Sequence, residues 1–189
     1  MTSASRIKAA PTSAKKNKSP GKRELLTPGA RAVHPQHGVV EIVGIVEREV
    51  DGKARHFCEL KLVASAGRVL LPVPEAGAAK PEALRLRPIM SAAEADALMA
   101  FIKEPPFERD SRPFQKRMRA YGDMLRSGER QAVAEVLREM VRAAATKPLS
   151  FGERKLHAQA RTMLVTELAI AKATTDVAID AQLAAAFAA

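Results

Sequence analysis

At 189 residues the chain has room for one medium domain or two small ones. Hydrophobic residues make up 47%, chiefly Ala, Leu and Val, while aromatics are 4% and Trp is absent, a balance that favours helices over a large sheet. A net charge of +10 points to an anionic partner, the single Cys58 excludes an internal disulfide and fits a reducing compartment, and no apolar run approaches the ~18–20 residues that cross a bilayer.

Residues 1–24 read as a disordered basic tail. Arg6, Lys8, Lys15, Lys16, Lys18, Lys22 and Arg23 precede the first acid, Glu24, among Ser, Ala and Pro with almost nothing to bury. The start has charges but no apolar core, so a secretory signal is not expected. Such a tail either adds salt-sensitive affinity for nucleic acid or merely solubilises the chain.

From residue 25 to 89 the rhythm is that of strands. Ala32-Val33 leads to a turn-like His34-Pro-Gln-His-Gly38, then to β-branched residues through Val46 and on to Val50. Asp51-Gly52 is a hairpin signal, and the return strand runs from Arg55 to Leu62, with Cys58 and Leu60 on one face. After Ser65-Ala-Gly67 comes Arg68-Val-Leu-Leu-Pro72, whose proline belongs at a strand end or edge. A loop through Gly77 and Pro81 leads to Leu84-Arg-Leu-Arg-Pro-Ile89. Short strands joined by tight turns over some 60 residues suggest a small SH3-like or Tudor-like barrel.

Residues 90–189 read as a compact all-α unit of about five helices, making the whole an α+β multidomain chain. Ser91-Ala-Ala-Glu94 has capping-box spacing, and Pro105-Pro106 stops the helix it opens. Pro113 sits at the first turn of a second helix, which Gly128 ends. A third runs from Glu129 to about Ala145, with Val133, Val136, Leu137, Met140 and Val141 on one face. Ser150-Phe-Gly-Glu153 repeats the capping-box spacing and opens a long helix with the stripe Leu156, Ala160, Met163, Leu164, Leu168 and Ala171. Thr175-Asp176 caps a last helix that buries Ile179, Leu183 and Phe187.

Catalytic constellations are missing from the sequence: there is no Ser/His/Asp arrangement, phosphate-cradling glycine loop or paired-carboxylate motif, so an enzyme, a cofactor and a small-molecule ligand are not expected. His34-x-x-His37 lacks further ligands at metal spacing and reads as a polar pair in a turn. The stretch that organises the rest is Pro113-Phe-Gln-Lys-Arg-Met-Arg-Ala-Tyr121. Phe114 directly precedes Lys116, Arg117 and Arg119, flanked by Arg109, Arg112 and Arg126 against only Asp110 and Asp123. An apolar ring beside phosphate-neutralising cations suits a protein that presses on DNA, although a core Phe beneath a solvated basic face has the same pattern. Arg154 and Lys155, in the first turn of the long helix, form a second basic site, open to a phosphate or to pairing with Glu153, Glu135 or Glu139.

Three segments together resemble the CarD/CdnL family of bacterial transcription regulators over about residues 26–188. They are the stretch from Thr27-Pro-Gly-Ala-Arg-Ala-Val-His-Pro-Gln-His-Gly38 to Ile45; Phe114 to Tyr121 with Ala134-Glu-Val-Leu-Arg138; and Leu149-Ser-Phe-Gly-Glu-Arg-Lys155 with Glu167-Leu-Ala169. The resemblance implies a two-part adaptor acting in the cytoplasm at the nucleoid, with no membrane. A Tudor-like domain at residues 25–89 would dock on the RNA polymerase β subunit, sheet edge to sheet edge, with Arg48, Leu60, Leu70 and Pro72 at the matching positions. A helical domain at 90–189 would sit on promoter DNA at the upstream edge of the melted bubble and stabilise the open complex. Phe114 stands where the family has a wedging Trp, Lys116, Arg117 and Arg119 follow it, and Arg154 and Lys155 match further basic positions. A polymerase-binding adaptor without DNA wedging, and a general basic DNA-binding protein, are the alternatives.

Overall fold

The computed structural model describes residues 24–73, 80–104 and 112–188. The expectations for the tail up to residue 23, for the loop at 74–79 and for Arg109 and Asp110 lie outside the described residues. A single turn at Glu24–Leu26 leads into β1 (Arg31–His34), β2 (Gly38–Val50), β3 (Lys53–Leu62), β4 (Arg68–Pro72) and β5 (Arg87–Pro88). They form one antiparallel sheet in the order β4-β3-β2-β1-β5. The hairpin between β2 and β3 turns at Asp51 and Gly52, whose φ values of 53° and 69° are the pair of left-handed residues a tight two-residue turn requires. Beneath the sheet Leu25, Ala32, Val40, Ile42, Cys58, Leu60, Leu84 and Leu86 are buried together. A register shift between Ile42 and Gly44 ends the buried stretch of β2, leaving Val43 within it and Ile45 beyond it exposed. Residues 84–89 add only two positions to the sheet, because Leu84 and Leu86 turn into the core and Arg85 between them takes a left-handed φ of 54°.

The helices are α1 (Ala92–Lys103), α2 (Phe114–Ser127), α3 (Arg130–Thr146), α4 (Phe151–Ala171) and α5 (Asp176–Ala188). Both capping boxes form: Ser91 with Glu94, and Ser150 with Glu153. Gly128 ends α2 in the left-handed conformation at φ 70°. The stripes read from helical spacing meet in a second core, where Leu125, Val136, Leu137, Leu164, Leu168 and Ile179 are fully enclosed. Sheet and helices join along a seam in which the β1–β2 turn lies on the α2–α3 junction. A Cβ placed on Gly128 would stand 2.7 Å from Pro35 Cα, and one on Gly38 would touch Met163 of α4 at 3.7 Å. Among the described residues no helix is long and apolar enough to cross a membrane.

Candidate nucleic-acid interface

Pro113 carries no capping side chain, and its carbonyl accepts from the backbone N–H groups of Lys116 and Arg117. The first turn of α2 holds no acid, so its positive dipole end is uncompensated from within the helix. Phe114, the first helical residue, lies on the same side of α2 as the buried Tyr121 and Leu125 and is 39% exposed. Its ring therefore continues the core stripe past the last turn and emerges half-covered. It lines a cavity of about 120 Å³ together with Arg117, Met118 and Tyr121, with Met140 and Ala143 of α3 and Glu153 of α4.

The cations that cluster in sequence divide in space. At about 100° per residue, Arg117 lies roughly 60° around the helix from Phe114, whereas Lys116 and Arg119 lie about 160° and 140° away. Arg117 is steadied by donating from Nη1 to the Arg112 carbonyl at 2.8 Å. Lys116 and Arg119 are exposed on the opposite flank. Seen down the helix axis, Arg117 stands beside the ring, while Lys116 and Arg119 together occupy the face away from it.

The start of α4 closes against α2. A Cβ on Gly152 would come 3.2 Å from Met118 Cε, so the small residue there lets the two helix beginnings approach. Glu153 is buried within the capping box, its carboxylate accepting from Ser150 N at 2.8 Å while Ser150 Oγ accepts from Glu153 N at 3.3 Å. These bonds to Ser150, then the nearby Lys147 and Arg117, hold the Glu153 carboxyl below the usual carboxylate range against the opposing effect of burial. The dipole end of α4 thus already holds an anion of its own. Attraction for phosphate there comes from the exposed side chains Arg154 and Lys155; Arg154 donates to the Leu149 carbonyl at 2.7 Å.

Between those two cations stands Phe151, 78% exposed, the most solvent-facing Phe among the described residues. Sequence reading treated it only as a letter in a capping box. Its helical position opposite Ala160 and Leu164 was a usable signal, since a large aromatic facing away from a long apolar stripe has no core to enter. Phe114 and Phe151 therefore begin two neighbouring helices, and Arg117, Arg154 and Lys155 stand beside them.

The positions expected to meet a protein lie on the sheet. β4 is an edge strand. Leu62 N donates to the Gly67 carbonyl and Val73 N to the His56 carbonyl, which fixes residues 67, 69, 71 and 73 as those bonded to β3. The backbone groups of Arg68 and Leu70 and the carbonyl of Pro72 accordingly face the open edge, and the donor that Pro72 lacks would have pointed there too. Leu60 is 0% exposed and pairs with Val69, so it supports β4 from the core and offers no surface of its own. Arg48 is exposed near the tip of the β2–β3 ribbon, two residues past the level of Pro72.

The histidine pair is part of the β1–β2 turn. The rings of His34 and His37 stack at 4.8 Å, and His34 Nδ1 accepts from Gln36 N at 3.2 Å. Burial, then the neighbouring His37 and Arg85, lower the His34 pKa to about 4, in keeping with an acceptor nitrogen that carries no proton. Among the described residues no group of three or more side chains has the composition of a metal site.

Residues 26–84 match the family described as the CarD-like/TRCF RID domain, and residues 97–184 match the CarD C-terminal domain. The chain is also similar to YdeB of Bacillus subtilis strain 168, a protein named as a candidate transcription factor. The two are 26% identical over 148 residues, which span 78% of this chain and 93% of YdeB. The sheet and the helices match the same family in sequence order, and the chain belongs to the CarD-like family of transcription factors.

Proposed function

We propose that this regulator docks through the open edge of β4 on the RNA polymerase β subunit and contacts promoter DNA at the upstream edge of the bubble with the starts of α2 and α4, so that the open complex persists. The observation that carries the reading is the half-exposed Phe114 at an uncapped, acid-free helix start, with Arg117 beside it, Lys116 and Arg119 on the far face of the same turn, and Phe151, Arg154 and Lys155 at the neighbouring helix start. Strand addition supplies main-chain hydrogen bonds through Leu70 and Arg68, with Pro72 and Arg48 fixing register and Leu60 keeping the strand flat from beneath. On the DNA, cations neutralise phosphates while a ring occupies a disturbed base step. Unstacking a step costs a few kcal/mol, which one aromatic plus several phosphate contacts is the right scale to offset. No base-reading side chain is needed, so selectivity comes from DNA shape and from the polymerase.

In this reading residues 25–89 are the docking unit, 90–189 the DNA-contacting unit, and the basic tail at 1–24 adds non-specific affinity; the protein acts in the cytoplasm at the nucleoid. Two measurements test it. Residues 25–89 should be retained by immobilised polymerase β subunit and released by Leu70→Pro, which removes an outward-facing donor. The whole protein should bind forked DNA with an affinity that falls steeply with salt. No forked-DNA affinity and a flat salt response, with β-subunit binding intact, would leave only an adaptor. DNA binding that vanishes when residues 1–24 are removed would leave only a general basic binder.

A further inference from the structure

The end of α2 opposite Phe114 is held by side chains from β5 and the turn before it. Two carbonyls left open by the helix end, those of Arg126 and Gly128, accept from Arg85 Nη2 and Arg87 Nε, each at 3.2 Å. Both donors are cations, and cations are favoured at a helix C-terminus. The Arg87 guanidinium also grips Glu167 of α4 with two bonds of 2.6 and 2.8 Å. Glu167 is 2% exposed and takes two further bonds, from Met90 N at 3.1 Å and Arg130 Nε at 3.3 Å. Arg130 in turn reaches Glu94 of α1 at 2.7 Å and the Pro88 carbonyl at 3.2 Å. One enclosed carboxylate thus ties β5, α1, the end of α2, the start of α3 and the last turns of α4.

Leverage makes this placement consequential. α2 has 14 residues and is about 20 Å long at ~1.5 Å per residue, with the clamp at one end and Phe114 at the other. A tilt of about 10° at the clamp would move Phe114 by ~3.5 Å, one base step of DNA at ~3.4 Å per step. A ring that must meet a particular step tolerates less than that. We infer that Arg85, Arg87 and Glu167 are positioning residues that set the span between edge strand β4 and Phe114, and that they govern open-complex lifetime while touching neither polymerase nor DNA. The functional half of this inference rests on the bridging role proposed above; the structural half does not.

The experiment measures both halves in the full-length protein. Spin labels on Lys61→Cys of β3 and Gln115→Cys at the far end of α2, both exposed positions, report the span by electron–electron distance, and the buried Cys58 stays unlabelled. The variants are Glu167→Gln, which keeps shape and removes charge, and Arg85→Gly, which suits the left-handed backbone at φ 54° and removes only the outer strap if the first variant fails to fold. The expected result is one narrow distance in the parent and a broadened or shifted one in the variants. Affinities for the β subunit alone and for forked DNA alone should stay within about twofold, while open-complex half-life falls about tenfold through lost effective concentration. Arg87→Lys, which retains charge but not the two-pronged grip, should fall between. Unchanged distance distributions in the variants would overturn the clamp. Broadened distributions with parental half-life, or half-lives that fall only as far as the separate affinities do, would overturn its positioning role. A parent protein without effect on half-life would sink the bridging function while the distances still decide the clamp.

Discussion

Two glycines share a backbone conformation and differ only in what surrounds them, which makes the seam between sheet and helices measurable. Gly52 and Gly128 have φ of 69° and 70°. Replacing either with Ala places a side chain in the left-handed region at a cost of ~1–2 kcal/mol, and restricts the unfolded chain by the same amount in both cases. A Cβ on Gly52 meets nothing within 4 Å, whereas on Gly128 it lies 2.7 Å from Pro35 Cα and 2.8 Å from Pro35 Cβ. Those are backbone and ring atoms, not the end of a flexible side chain, so the β1–β2 turn has to move off the α2–α3 junction. Forcing such an overlap costs a further ~1–3 kcal/mol. Gly52→Ala should therefore destabilise by about 1 kcal/mol and Gly128→Ala by about 2–4 kcal/mol. Urea unfolding followed by circular dichroism gives both values on one scale. Equal destabilisation by the two variants would refute the close approach of Pro35 to Gly128 at the seam.

Three further outcomes follow from the site. His34 and His157 both have folded pKa values below the ordinary 6.5, so the unfolded state takes up protons first and stability should fall as pH drops from about 7 to 5; His34→Gln should remove on the order of 1 kcal/mol of that loss and leave the His157 share. Glu94 and Glu153, whose folded values are depressed by their Ser91 and Ser150 partners, add stability that disappears only below about 4.5, so unfolding curves from pH 7 to 5 isolate the histidines; a flat profile there would contradict the buried neutral His34. Lys116→Ala with Arg119→Ala should lower the salt-dependence slope of forked-DNA binding by about 2, and an unchanged slope would remove both from the phosphate path. Phe114→Trp should tighten forked-DNA binding and Phe114→Ala weaken it by ~1–2 kcal/mol, read by fluorescence anisotropy; equal affinities would mean the ring is only core.

Sequence periodicity carried the helices well, because capping boxes, proline and glycine mark their ends and apolar stripes mark their inner faces. Ser91, Ser150, Pro113 and Gly128 all stand at helix boundaries as their chemistry requires. The Asp51-Gly52 turn was equally plain. Counting neighbouring cations hides what helical spacing separates, the direction in which each side chain leaves the helix. Phe114, Lys116, Arg117 and Arg119 are one cluster as letters and two flanks as a structure. Leu60 illustrates the same gap on the sheet, where a position expected to meet a protein is fully enclosed beneath edge strand β4. The clamp was out of reach for another reason. Arg87, Arg130 and Glu167 are up to 80 residues apart, and although Glu167 falls on the stripe of Ala160, Met163, Leu164 and Ala171, spacing along one helix does not name the distant cations that meet it.

The most direct test of the proposed role is the half-life of open promoter complexes formed with purified polymerase, in the absence of this protein, in its presence, and in the presence of Phe114→Ala. A longer half-life with the parent protein, most of it lost with Phe114→Ala while binding to the β subunit is retained, is the expected result. Half-lives that are the same in all three would contradict open-complex stabilisation by this chain.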